Sequence, residues 1–98
     1  MATTMKRSTG NVFEDLGFEA EEAANLRIRA DLMIELSKLI KDRSLTQAAA
    51  AALLGVSQPR ISDLTNGKIE RFSIDMLIAM LGRAGVGIKF TTKRRRVA

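Results

Sequence analysis

From Ala20 onward the apolar residues Leu26, Met33, Leu36 and Ile40 recur at steps of seven, three and four, with Ile28, Leu32 and Leu39 beside them. Arg27, Arg29, Glu35, Lys38 and Lys41 fall on the opposite side. A repeat near 3.6 residues predicts one amphipathic helix. It should end near Arg43, where Ser44 and Thr46 offer capping oxygens and a new pattern begins. The next stretch, TQAAAAALL from Thr46 to Leu54, is an alanine-rich tract of high helix propensity that Thr46 can cap and Gly55 can stop in a left-handed conformation. Ser57 caps a further helix that tolerates Pro59 in its first turn, where an amide would be unpaired anyway, and Asn66 and Gly67 close it. Ser73 starts a last helix with Asp75 in its first turn and an Ile74, Leu77, Ile78, Leu81 stripe running to Arg83, broken by Gly82, Gly85 and Gly87.

The flanks carry other patterns. Val86, Ile88 and Phe90 alternate with Gly87, Lys89 and Thr91, the period of a strand with one buried face. A lone strand must pair within the domain or across a dimer, and the second option makes Val86, Ile88 and Phe90, helped by Leu77 and Leu81, the expected dimer contact. Upstream, Asn11 to Glu22 combines Val12, Phe13, Leu16 and Phe18 with Glu14, Asp15, Glu19, Glu21 and Glu22 and contains no basic residue. It reads as a solvated turn whose Phe13, Leu16 and Phe18 patch the core, or alternatively as a partner-binding segment. Met1 to Gly10 has no periodicity and reads as a flexible arm; the KRRR run, Lys93 to Arg96, reads as a mobile tail.

Composition narrows the choice of function. The 98 residues fit one small domain, divided into an arm and acidic lead-in at 1–22, a helical domain with its strand at 23–92 and a basic tail at 93–98. A domain of this size buries only about two-thirds of its unfolded surface, so a second subunit would help. Without Cys or His the chain lacks disulfides, thiolate metal sites, zinc centres and Ser-His-Asp triads. No residue set supports an enzyme, and no cofactor is implied. The longest apolar run, Ala48 to Leu54, is far short of the roughly 20 residues that cross a bilayer, and MATTMKRSTG has no apolar core for secretion. A cytoplasmic protein is expected. Met1 to Asp42 holds 6 basic and 8 acidic residues, whereas Arg43 to Ala98 holds 10 basic and 3 acidic. The basic excess of the second half points to a polyanion, most commonly nucleic acid.

Two short helices joined at Gly55 within Gln47 to Gly67 have the spacing of a helix-turn-helix. Ala51 suits their close crossing, and Val56, Ile61 and Leu64 can anchor the second helix. The residues left pointing outward are polar: Gln58, Arg60, Ser62, Asp63, Thr65 and Asn66.

The run LTQAAAAALLGVSQPRISDLTNGK, Leu45 to Lys68, closely resembles the helix-turn-helix of the Cro/phage-repressor (XRE) family, with its T-Q-x3-A-x3-G-V-S-x3-I-S-x-L-x-N-G pattern. The resemblance implies a mostly α, five-helix lambda-repressor-like DNA-binding domain over Ala20 to Arg83. It also implies that Gln47 bonds a phosphate and buttresses Gln58, which reads a base. The lead-in NVFEDLGF and the ending GVGIKF resemble the HigA-like antitoxin branch, whose members pair with RelE/ParE-superfamily toxins and repress their own operon.

Chemistry gives each position a role. Gln58 can pair bidentately with adenine and Arg60 with guanine, each for roughly 1–3 kcal/mol of discrimination. Asp63 is repelled by phosphates unless it accepts from cytosine N4 or pairs with Arg60 one turn earlier, and the pair is the expected outcome. Asn66 and Lys68 should meet backbone phosphates, and KRRR a phosphate or the minor groove. Ser57, Pro59 and Ser62 complete the expected DNA-facing set. The expected function is a homodimeric repressor reading a palindromic operator in double-stranded DNA, either an antitoxin or a stand-alone phage-type regulator. The alternative from another class is a protein-binding adaptor that keeps the helix-turn-helix only as scaffold.

Overall fold

The computed structural model describes residues 11–94. The arm expected at Met1 to Gly10, and Arg95 and Arg96 of the tail, lie outside these residues. Among the described residues five α-helices follow one another: α1 (Val12–Asp15), α2 (Ala20–Asp42), α3 (Gln47–Leu54), α4 (Gln58–Thr65) and α5 (Ile74–Arg83), with a 3₁₀ turn at Ile69–Arg71 between α4 and α5. The count of five is reached differently from the expectation for Ala20 to Arg83, which holds four α-helices and the 3₁₀ turn; the fifth is α1.

The starts of three helices are fixed by hydroxyl caps. The Ala49 amide donates to Thr46 Oγ1 at 3.0 Å, that of Arg60 to Ser57 Oγ at 3.3 Å, and that of Met76 to Ser73 Oγ at 3.1 Å. Each satisfies one of the amides that a helix leaves without a partner in its first turn.

The ends share one solution. Beyond each helix an amide reaches back five residues: Phe18 to the Phe13 carbonyl, Leu45 to Ile40, Val56 to Ala51, Lys68 to Asp63 and Val86 to Leu81, at 2.9–3.1 Å. This six-to-one bond needs a left-handed residue just before the donor. Four of those residues are glycines and the fifth is Ser44, at φ 52°. Gly82 stays inside α5, so the break falls at Gly85.

The long α2 contributes Ala23, Leu26, Met33, Leu36 and Ile40 to the interior, as its pattern requires. Leu36 meets Leu54 of α3, Ile61 and Leu64 of α4, and Leu77 and Leu81 of α5 in one buried cluster with Phe72. Losing any one of these leucines to alanine would cost about 2–5 kcal/mol. On α3 the small Ala50 and Ala51 are buried together with Leu54, in the same core cluster as Ile61 and Leu64 of α4.

Several expectations are corrected by the packing. Leu77 and Leu81 are buried within the chain's own core and offer no face to a second subunit. Leu16 and Phe18 do not patch the core: they are 69% and 41% exposed, and Val12 is 54% exposed. Only Phe13 is half-buried, with its ring edge-on to Phe18 at 6.2 Å. Arg29 leaves the outer face of α2 and donates from Nη1 to the carbonyls of Ile69 (3.1 Å) and Phe72 (3.2 Å), tying the 3₁₀ turn to α2. Among the described residues Val86 to Phe90 forms no strand, because no second extended segment is there to pair with it. Val86 and Ile88 pack partly against the core instead, and Phe90 stays 68% exposed.

Candidate nucleic-acid interface

Gly55 makes the turn between α3 and α4 sharp. Its φ of 72° is costly for any residue with a side chain, and a Cβ there would lie 2.5 Å from Arg83 Nη1. The Arg83 side chain of α5 thus lies across the turn and adds a cation beside it, a placement that the sequence, with Arg83 read only as the end of a helix, did not reveal.

With the turn fixed, α4 runs from the Ser57 cap through Gln58 and Pro59 in its first two positions, and Ile61 and Leu64 hold it to the core. Ser57, Gln58 and Pro59 are exposed at its start, and Thr65, Asn66, Gly67 and Lys68 are exposed at its end. Gln47, at the start of α3, is also exposed. Among them Ser57 has its cap role and Asn66 donates from Nδ2 to Ser62 Oγ at 3.4 Å. Among the described residues no hydrogen bond joins Gln47 to Gln58.

Three α4 residues are less free than the outward-facing pattern implied. Arg60, Ser62 and Asp63 are half-buried. Arg60 Nη1 donates to the Arg71 carbonyl at 2.9 Å, and its guanidinium lies 5.6 Å from the centroid of the Phe72 ring. Asp63 does not pair with Arg60. Its carboxylate lies 3.7 Å from Arg71 Nη1, because the 3₁₀ turn at Ile69–Arg71 that follows α4 brings Arg71, its last residue, back to α4. Asp63 is thereby partly neutralised by a residue eight positions away, and Arg60 is left to the carbonyl and the ring.

The cations at this end of the molecule are therefore Arg60, Lys68, Arg71 and Arg83 on or beside α4 and its turns, with Lys93 and Arg94 exposed farther along the chain. Among the described residues no group of His, Cys, Asp or Glu could hold a metal ion, and no helix is long and apolar enough to cross a membrane. The arrangement is chemically one of hydrogen-bond donors and acceptors on a rigid helix: it can bind a polyanion and read polar edges.

Comparison with known proteins agrees with the geometry. A family model described as a helix-turn-helix domain matches residues 12–92. A solved structure described as an XRE family transcriptional regulator superposes with a TM-score of 0.71 at 32% sequence identity, covering 79% of this chain and 90% of its own. No curated protein matches the chain. The chain belongs to the helix-turn-helix regulators of the XRE family.

Proposed function

We propose that this regulator is a homodimeric, sequence-specific repressor that acts in the cytoplasm on a palindromic operator. The observation that carries this reading is the start of α4: Gln58 stands exposed on a capped helix whose far side is locked into the core through Ile61 and Leu64. A rigid helix with a bare amide side chain at its N-terminus is what a base reader in the major groove requires. Arg60 serves as the second reader, held in place by Phe72. Gln47, Ser57, Ser62, Asn66 and Lys68 position the helix on phosphates, Pro59 shapes its first turn, and Asp63 keeps Arg71 beside it. One such helix spans only a few base pairs, so two must act together, with about 34–36 Å between half-site centres on one face of the duplex. Backbone pairing of Val86 to Phe90 with its two-fold mate would join them and cover Phe90. Selection of binding sites from a random duplex library tests the reading: a two-fold symmetric sequence supports it, and no enrichment contradicts it.

An antitoxin role within this function is favoured by α1. Val12, Leu16 and Phe18 are exposed beside Glu14, Asp15, Glu19, Glu21 and Glu22, a surface of apolar and negative character with no cation among its residues. It suits a basic partner such as a RelE/ParE-like toxin. Co-expression of a neighbouring small basic protein with the wild type and with Leu16→Asp/Phe18→Asp tests this: only the wild type should retain it. Equal retention by both would remove α1 from any such contact.

A further inference from the structure

On the side of α2 away from α5, an open groove of about 580 Å³ runs between α2 and the C-terminal end of α4. Its volume is within the range of small-molecule sites. Ile34, 57% exposed, is one wall, and Phe13 lines the part toward the N-terminal half of α2, where Asn11 Nδ2 of the preceding turn bonds the Ala23 carbonyl. Toward the C-terminal end of α2 the lining changes character: Ser37, Lys38, Lys41 and Thr65 are polar, two of them cations, and no carboxylate lines the groove. Among the described residues neither lysine is ion-paired. An exposed Ile34 and a half-buried Phe13 in a groove with unpaired charges of one sign at one end describe an amphipathic complement rather than a uniform one.

We propose that this groove binds an amphipathic monocarboxylate, its chain along Ile34 and Phe13 and its carboxylate between Lys38 and Lys41. From Ala30 to Lys41 the helix rises about 16 Å, which suits a straight-chain acid of roughly ten to twelve carbons. The arm at 1–10 is the wrong occupant by charge, since Lys6 and Arg7 would face Lys38 and Lys41. The inference does not rest on the DNA-binding reading, although Thr65 and Gly67 at the end of α4 border the groove, and its test uses no DNA.

The full-length protein, labelled with ¹⁵N, is titrated with sodium decanoate below its micellar concentration, and in parallel with decanol and decyltrimethylammonium. Saturable amide shifts centred on residues 30–41 and 64–69 are expected with decanoate, with about tenfold weaker binding of decanol and weaker still of the cation. Lys38→Gln/Lys41→Gln should bring decanoate down to the affinity of decanol, while Ser37→Trp should abolish the shifts by filling the groove. Lys38 and Lys41 are exposed and Ser37 is half-buried, and circular dichroism melting of each variant verifies that the fold is kept. Equal affinity for the three probes, shifts centred elsewhere, or sedimentation showing that Ile34→Glu splits a wild-type dimer and so assigns the groove to a second copy would each overturn the proposal.

Discussion

The guanidinium of Arg60 lies over the ring of Phe72, 5.6 Å from its centroid, while its Nη1 donates to the carbonyl of Arg71. Phe72 is buried in the core, so the contact links the half-buried Arg60 side chain of α4 to the packed interior. Holding Arg60 in this way reduces the rotamer freedom it would lose on meeting a base. The coupling is expected to be measurable. Arg60→Ala should cost roughly 1–3 kcal/mol on a selected operator, and Phe72→Leu should weaken the operator in the wild type but much less in the Arg60→Ala background. A double-mutant cycle by fluorescence anisotropy checks this, with equal effects of Phe72→Leu in both backgrounds denying the link.

Helix ends give a prediction about stability. Ser44 occupies a left-handed position that glycine fills at the other four helix ends, and Ser44→Gly should raise stability by about 1 kcal/mol. Gly55→Ala should lower it by about 1 kcal/mol through the same backbone cost at φ 72°, with the flexible Arg83 side chain shifting to make room. Chemical denaturation of the two variants should move the midpoint in opposite directions.

Much of this fold was legible because its signals are local. Thr46, Ser57 and Ser73 sit in sequence where their helices start, and Gly55, Gly67 and Gly85 where helices end, since a cap or a left-handed turn involves residues only a few positions apart. The apolar period of α2 likewise marked Met33, Leu36 and Ile40 as core. What escaped depends on residues far apart in sequence. Arg29 reaches carbonyls 40 and 43 positions away, Arg60 finds Arg71 and Phe72, and Asp63 takes Arg71 in place of the neighbour one turn back. The short α1 escaped because a four-residue helix has too few positions to show a period; its Asn11 cap and the bond from Asn11 to Ala23 hold it. For Val86 to Phe90, alternation expressed a side-chain preference, whereas a strand also needs a partner backbone.

Assembly yields a separate test. Phe90→Asp should leave the melting temperature of the monomer unit nearly unchanged, since the side chain is exposed, yet shift the protein toward monomers and weaken operator binding. Ile88→Asp should do the same with added loss of stability, because Ile88 packs partly on the core. Analytical ultracentrifugation showing an intact dimer in Phe90→Asp would move the interface elsewhere.

Removing Lys93 to Arg96 should lower affinity for every duplex and flatten the salt dependence by about 0.9 in log-log slope for each phosphate released. Sequence preference should survive, because these residues lie outside α4. A salt titration with an unchanged slope would show that the tail takes no part.

The central claim, that the exposed start of α4 reads sequence, is tested most directly by Gln58→Ala. Its affinity is measured for a selected operator and for a random duplex of equal length at the same salt. The base contact is lost and the phosphate contacts remain, so binding to the operator should weaken by roughly 1–3 kcal/mol while binding to the random duplex stays nearly the same. Equal losses on the two duplexes, or no loss on either, would contradict it.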